Sequence, residues 1–132
     1  MVGTFWEFGY ALSMKNIDLP KINALIENFV KERDWDQFHS LKNLSMALSV
    51  ESSELVEIFQ WLDEARSNQV KQDPELLRKV EDEVADIFFF MMRIVSKTDM
   101  NLEEVVLRKL KHNEQKYPAN LVRGSSKKYD EY

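Results

Sequence analysis

Two pairs of carboxylates sit where a chain of this kind would otherwise bury hydrocarbon. Glu51-Ser-Ser-Glu54 and Glu81-Asp-Glu83-Val-Ala-Asp86 both lie in stretches with helical periodicity. At about 100° per residue, Glu51 and Glu54 project about 60° apart on one face, and Glu83 and Asp86 do the same. Leu44, Ala47, Leu48, Leu55, Ile58 and Leu62 fall within roughly 60° of Glu51, so this acid stands in the middle of an apolar stripe. Leu76, Val80, Ile87, Phe90 and Ile94 surround Glu83 in the same way. An unpaired carboxylate in such a place costs several kcal/mol, and four that converge repel one another. The pattern therefore predicts two helices facing each other across a cation. No Lys or Arg falls inside the Glu51 stripe, so that cation is read as a metal. All-oxygen ligands suit Mg²⁺, with Mn²⁺ as a possible substitute. Glu57 lies about 120° from Glu51 and is read as a surface residue or a support to the ligands.

With 132 residues the chain is long enough for one domain with one core. Its net charge of −5 argues against a nucleic-acid groove or an anionic membrane as the main partner. There are no cysteines, which excludes disulfides, thiol nucleophiles and zinc–thiolate sites and fits a cytoplasmic location. The N-terminus lacks a basic segment and Glu7 interrupts its apolar run, so it does not read as a secretory signal. Val84 to Val95 is apolar but too short to span a bilayer. No glycine lies between residues 10 and 123, which removes Walker A and Rossmann phosphate loops. Metal and side chains must handle any phosphate.

Residues 1–18 carry Phe5, Trp6, Phe8 and Tyr10 without a period and read as an arm. Asp18 and Pro20 mark the start of a first helix over about 20–33. Asp34 to His39 reads as a connecting loop, and a second helix is expected over about 41–64. Arg66 to Asp73 is a polar loop before a proline-opened third helix over about 74–97. Asn101, with Glu104 three residues on, has the form of a capping box for a fourth helix, which Tyr117-Pro118 ends. Residues 119–132 read as a polar extended tail. No segment alternates with period two, so the expected fold is all-α, a four-helix bundle over 19–118. From Ile87 to Val95 the third helix is apolar almost all round, which predicts completion of the bundle by other subunits.

These residues resemble the MazG-like all-α nucleotide pyrophosphohydrolases. The resemblance rests on Glu51-x-x-Glu54 and Glu83-x-x-Asp86 on two long helices. Arg33-Asp-Trp-Asp-Gln-Phe-His39, Asn43-Leu44, Phe59-Gln-Trp61, Lys116-Tyr-Pro118, Arg123-Gly-Ser125 and Lys128-Tyr129 are similar to the dCTP pyrophosphatase branch. The likeness covers about residues 22–129. It implies Mg²⁺-dependent hydrolysis of a nucleoside triphosphate, dCTP or a modified dCTP, to monophosphate and pyrophosphate. It also implies a homotetramer with sites built between subunits, metal ligands at Glu51, Glu54, Glu83 and Asp86, and a nucleoside pocket lined by Trp35, Asp36, Gln37, Phe38, His39 and Trp61. Two positions depart from the pattern. Ile26 stands where the eukaryotic dCTP enzymes carry a histidine, and Phe90 stands where they carry a tyrosine facing the substrate. Each departure removes a polar contact to the nucleotide and leaves the metal chemistry unchanged.

Read from the residues alone, Trp35 and Trp61 are either core aromatics or platforms for a base, where stacking contributes roughly 1–3 kcal/mol. His39 is a loop histidine or a hydrogen-bonding group near the substrate. Lys109, Asn113 and Lys116 recur at about one-turn spacing, as a solvated face or as neutralising groups for a triphosphate. Glu54 lies off-centre in its stripe and is the preferred general base. A di-iron carboxylate bundle would need Glu-x-x-His on two helices, and the chain offers only Asp36-x-x-His39 in a loop. The remaining alternative is a helical scaffold or nucleotide-binding protein with structural Mg²⁺.

Overall fold

The computed structural model describes residues 17–131, and every regular element among them is helical. The arm expected over 1–18 lies outside the described residues except at its last two positions. In chain order come α1 (Leu19–Glu32), a 3-10 turn (Asp36–Phe38), α2 (Leu41–Phe59), α3 (Glu64–Ser67), a second 3-10 turn (Val70–Gln72) and α4 (Pro74–Thr98). Then follow α5 (Leu102–Lys116), α6 (Ala119–Val122) and a last 3-10 turn (Tyr129–Glu131). The all-α class with four long helices is as expected. No helix among the described residues is long and apolar enough to cross a membrane. The chain divides after Ser40 into two compact units.

The first unit holds α1. The Asp18 side chain accepts a hydrogen bond from the backbone N–H of Lys21 at 3.0 Å, and Pro20 occupies the first turn. Ile26 and Val30 are buried on one stripe of the helix. The far end closes on a pair of hydrogen bonds usually built around a glycine: Trp35 N–H donates to Val30 O and Asp34 N–H to Lys31 O, both at 3.1 Å. Asp34 provides the left-handed residue, φ 52°, a conformation that costs most side chains about 1–2 kcal/mol and Asp somewhat less. Its carboxylate accepts from Gln37 Nε2 at 2.8 Å. The Trp35 ring meets Phe29 edge to face at 5.7 Å. The stretch read as a connecting loop consists of an ordered helix end running into a 3-10 turn.

In the second unit α2 packs along α4, and α4 also touches the turn at Val70–Gln72. Leu44 and Met92 are buried, as is Arg93 at 1% exposure. α2 stops at Phe59, short of the expected 64. The reason is Asp63, whose side chain accepts from Arg66 N–H at 2.8 Å and starts α3 in a new direction. Trp61 consequently lies in a turn and is 87% exposed. Asp73 caps α4 through Leu76 N–H at 3.0 Å with Pro74 behind it. Asn101 caps α5 through Glu104 N–H at 3.1 Å. Asp99, which ends α4, is a second left-handed aspartate at φ 51°. The tail is not simply extended. It forms α6, turns at Gly124 (φ 76°), and returns so that Tyr129 meets Tyr117 edge to face at 6.2 Å.

Ile87 to Val95 on α4 is half-buried, apart from the buried Met92 and Arg93. Large exposed apolar side chains lie outside that stretch, among them Met46, Val50 and Val56 on α2 and Val106, Leu107 and Leu110 on α5.

Candidate metal centre

The pairing of α2 with α4 brings the two acidic pairs together. One carboxylate oxygen from each of Glu51, Glu83 and Asp86 can be chosen so that all three lie within 4.8 Å of one another. Glu51 and Glu83 are half-buried and Asp86 is exposed, so the cluster opens to solvent on the Asp86 side. Around Glu51, Leu44 is buried and Ala47, Leu48, Leu55 and Ile58 are half-buried; around Glu83, Leu76, Val80, Ile87, Phe90 and Ile94 are all half-buried. The stripes expected from the 3.6 period are thus real surfaces, with the acids inside them.

Their electrostatics follow. Partial burial, then the charges of Glu54, Asp86 and Glu83, push the Glu51 carboxyl above its ordinary value near 4.5. Glu83 is pushed up by desolvation first, then by Glu54 and Asp86, with a hydrogen bond to Glu54 and the charge of Asp82 adding to it. Oxygen Oε2 of Glu83 is buried and has no hydrogen-bond partner. A buried acceptor without a donor beside two other carboxylates fits a hard divalent cation. Oxygen donors alone, with no histidine or cysteine among them, suit Mg²⁺ or Mn²⁺ better than zinc.

Glu54, the fourth expected ligand, is exposed and stands near Glu83, outside the group of three. Trp35, Asp36, Gln37, Phe38 and His39 belong to the first unit, Trp35 and Phe38 exposed and His39 half-buried. Gln37 is engaged with Asp34. Trp61 stands in the turn after α2. Phe90 is half-buried on the Glu83 stripe, against Phe89 edge to face at 5.2 Å. On α5 Lys109 is exposed and Asn113 is half-buried. The ammonium of Lys116 lies 3.5 Å from the centre of the Tyr129 ring, a cation–π contact. Residue spacing carries no signal for that contact, because it depends on the tail folding back.

No protein-family model matches the chain. It is similar to curated proteins named dCTP pyrophosphatase 1. The rat protein is 35% identical over 111 residues, 84% of this chain and 65% of the rat protein. The human protein is 35% identical over 113 residues, 86% of this chain and 66% of its own length. The chain thus spans about two thirds of the length of these relatives. A solved pyrophosphatase from Archaeoglobus fulgidus superposes with a TM-score of 0.71 at 30% identity, covering 80% of this chain and 96% of that one. On this fold and this likeness, the chain belongs to the MazG-like all-α nucleotide pyrophosphohydrolase family.

Proposed function

We propose that the chain hydrolyses a nucleoside triphosphate, dCTP or a modified dCTP, to the monophosphate and pyrophosphate, and so clears one nucleotide from a cytoplasmic pool. The observation that carries this reading is the cluster of Glu51, Glu83 and Asp86 within 4.8 Å, with an unpartnered oxygen on Glu83. The names of the relatives support the substrate class.

Glu51, Glu83 and Asp86 would hold the divalent metal, Mg²⁺ with Mn²⁺ as substitute, and Glu54 would join them or stand beside them. A triphosphate brings about four negative charges to four carboxylates, and the two repel without a cation between them. When bound, the metal supplies charge neutralisation at the phosphates and makes water a stronger acid. Glu54 is the carboxylate left to accept the water's proton, because it adjoins Glu83 yet lies outside the group of three. Attack at the α-phosphorus expels pyrophosphate. The chain has no cysteine to form a covalent intermediate. Lys109, Asn113 and Lys116 would neutralise the phosphate tail, and Trp35 to His39, Trp61 and Phe90 would border the nucleoside. The working unit in this reading is a homotetramer with sites built between subunits.

Pyrophosphate release from a panel of deoxynucleoside triphosphates, with and without Mg²⁺, tests the reading. Release only with the metal is expected, and no release from any substrate would favour a scaffold. Hydrolysis in ¹⁸O-labelled water should place the label in the monophosphate. Label in pyrophosphate would mean attack at the β-phosphorus and would overturn the mechanism.

A further inference from the structure

Lys116 is the last residue of α5, and the backbone there works against an anion. The final carbonyls of a helix carry its negative end, and a lysine in the last turn can fold back onto them. A triphosphate would meet repulsion at that point unless the ammonium were held away from the carbonyls. Lys116 is half-buried, and its ammonium lies 3.5 Å from the centre of the Tyr129 ring. Among the described residues no carboxylate forms an ion pair with it. A ring face attracts a cation through its quadrupole and carries no net charge, so the ammonium keeps its full charge. A carboxylate in the same place would cancel the charge that a phosphate needs.

The ring is placed by bonds on both sides. The chain leaves α6 through a turn at Gly124, φ 76°, closed by Ser125 N–H donating to Val122 O at 2.9 Å. A side chain at Gly124 would meet nothing within 4 Å, so only the left-handed backbone calls for glycine there. Downstream, Glu131 N–H donates to Lys128 O at 3.0 Å, and Glu131 Oε2 accepts from Lys128 N–H at 2.9 Å. This reciprocal pair has the form of a capping box, and it closes the 3-10 turn that starts at Tyr129. Tyr117, next to Lys116, meets the Tyr129 ring edge to face at 6.2 Å and 89°. Tyr129 is 50% exposed, so the contact stands open to solvent.

We propose that Tyr129 is a positioning residue for the triphosphate: its ring fixes the ammonium of Lys116 where the phosphate tail binds. The inference rests on the pyrophosphatase reading above and adds to it a residue from outside α5. Lys109, Asn113 and Lys116 fall within about 60° of one face of α5, and Lys116 closes the row. A lysine side chain has four rotatable bonds, and ordering it at the moment of binding lowers affinity. A head already ordered by the ring avoids that loss. The return of the tail therefore belongs to the phosphate site, because it turns a mobile surface charge into a fixed one.

The test is KM and kcat for dCTP with Mg²⁺, on the full chain and on Tyr129→Leu, Tyr129→Phe, Lys116→Met and Lys116→Met/Tyr129→Leu. Tyr129→Leu should raise KM about two- to fivefold, the worth of an exposed cation–π contact, with kcat unchanged. Tyr129→Phe keeps the ring face and should restore the lower KM. In the Lys116→Met background, Tyr129→Leu should have no further effect. A merely structural role for the tail would add the same loss with or without the lysine. Equal losses in the two backgrounds, no rescue by Tyr129→Phe, or an unchanged KM in Tyr129→Leu would each overturn the proposal. So would a lower KM in Tyr129→Leu, which would mean that the ring withholds the lysine from substrate. If the wild-type chain hydrolyses no nucleotide, the pyrophosphatase reading fails separately. Calorimetric binding of inorganic tripolyphosphate with Mg²⁺ then carries the same comparison. Weaker binding by Tyr129→Leu than by Tyr129→Phe supports the positioning role, and equal binding, or none, sinks it.

Discussion

Glu51→Gln, Glu83→Gln and Asp86→Asn are each expected to abolish metal-dependent pyrophosphate release. The first two should also make the metal-free protein more stable at neutral pH. Each substitution removes one oxygen charge from a group of three that cannot hold a divalent cation with fewer hard ligands. The stability effect has the opposite sign because the same charges oppose folding when no metal is bound. The carboxyls of Glu51 and Glu83 are both raised in the folded chain. A raised acid favours the folded state most below its unfolded value near 4.5, and that contribution is lost as pH rises through the folded value. Metal-free wild-type protein should therefore lose stability on going from about pH 4.5 towards neutrality, as measured by thermal melting, and Mg²⁺ should restore it. Glu51→Gln and Glu83→Gln should flatten the dependence. Wild-type turnover in any of the three variants would remove that residue from the site, and a metal-free melting curve independent of pH would remove the electrostatic account.

The second large effect concerns assembly. On α5, Leu102, Val106 and Leu110 fall within about 80° of one face. Val106 and Leu110 on that face are 47% and 53% exposed. On α2, Met46, Val50 and Val56 are exposed as well. Apolar surface of this kind on consecutive turns is what an oligomer covers. We expect the protein to sediment as one stable oligomer, a tetramer, at micromolar concentration. Val106→Glu with Leu110→Glu should dissociate it. Covering the exposed half of two such side chains contributes about 1.5–3 kcal/mol, which amounts to about one to two orders of magnitude in the association constant. A stable wild-type monomer would defeat the prediction, and a double variant that still assembles would move the interface to α2.

The sequence was most legible where a period repeats. The apolar stripes through Glu51 and Glu83 recur over several turns, so both the helices and the inward placement of the acids could be read from spacing alone. The proline-opened start at Pro74 and the cap at Asn101 are short motifs with one physical meaning, and both appear. What could not be read depends on a single local bond competing with a favourable pattern. Gln60 to Leu62 continues the α2 stripe perfectly well, yet Asp63 diverts the chain by capping α3, and Trp61 leaves the helix. The polar stretch from Arg66 to Asp73 has no period, because 3-10 turns of three residues are too short to show one. The return of Tyr129 onto Lys116 joins residues 13 apart through an aromatic ring, for which spacing carries no signal. Glu54 and Glu51 sit on one helix face alike, and only the position of α4 separates the acid in the group of three from the acid beside it.

The aspartates that end α1 and α4 leave this fold with unused stability. Asp34 and Asp99 hold left-handed backbone in a chain that has no glycine there, and each also places a negative charge at the negative end of a helix dipole. Asp99→Gly relieves both penalties at once, while Asp34→Gly gives up the bond from Gln37 in exchange. An engineer seeking a hardier variant would begin at Asp99, far along the chain from every acid that would hold metal, and would leave Asp34 until the loop it supports had been shown to be dispensable.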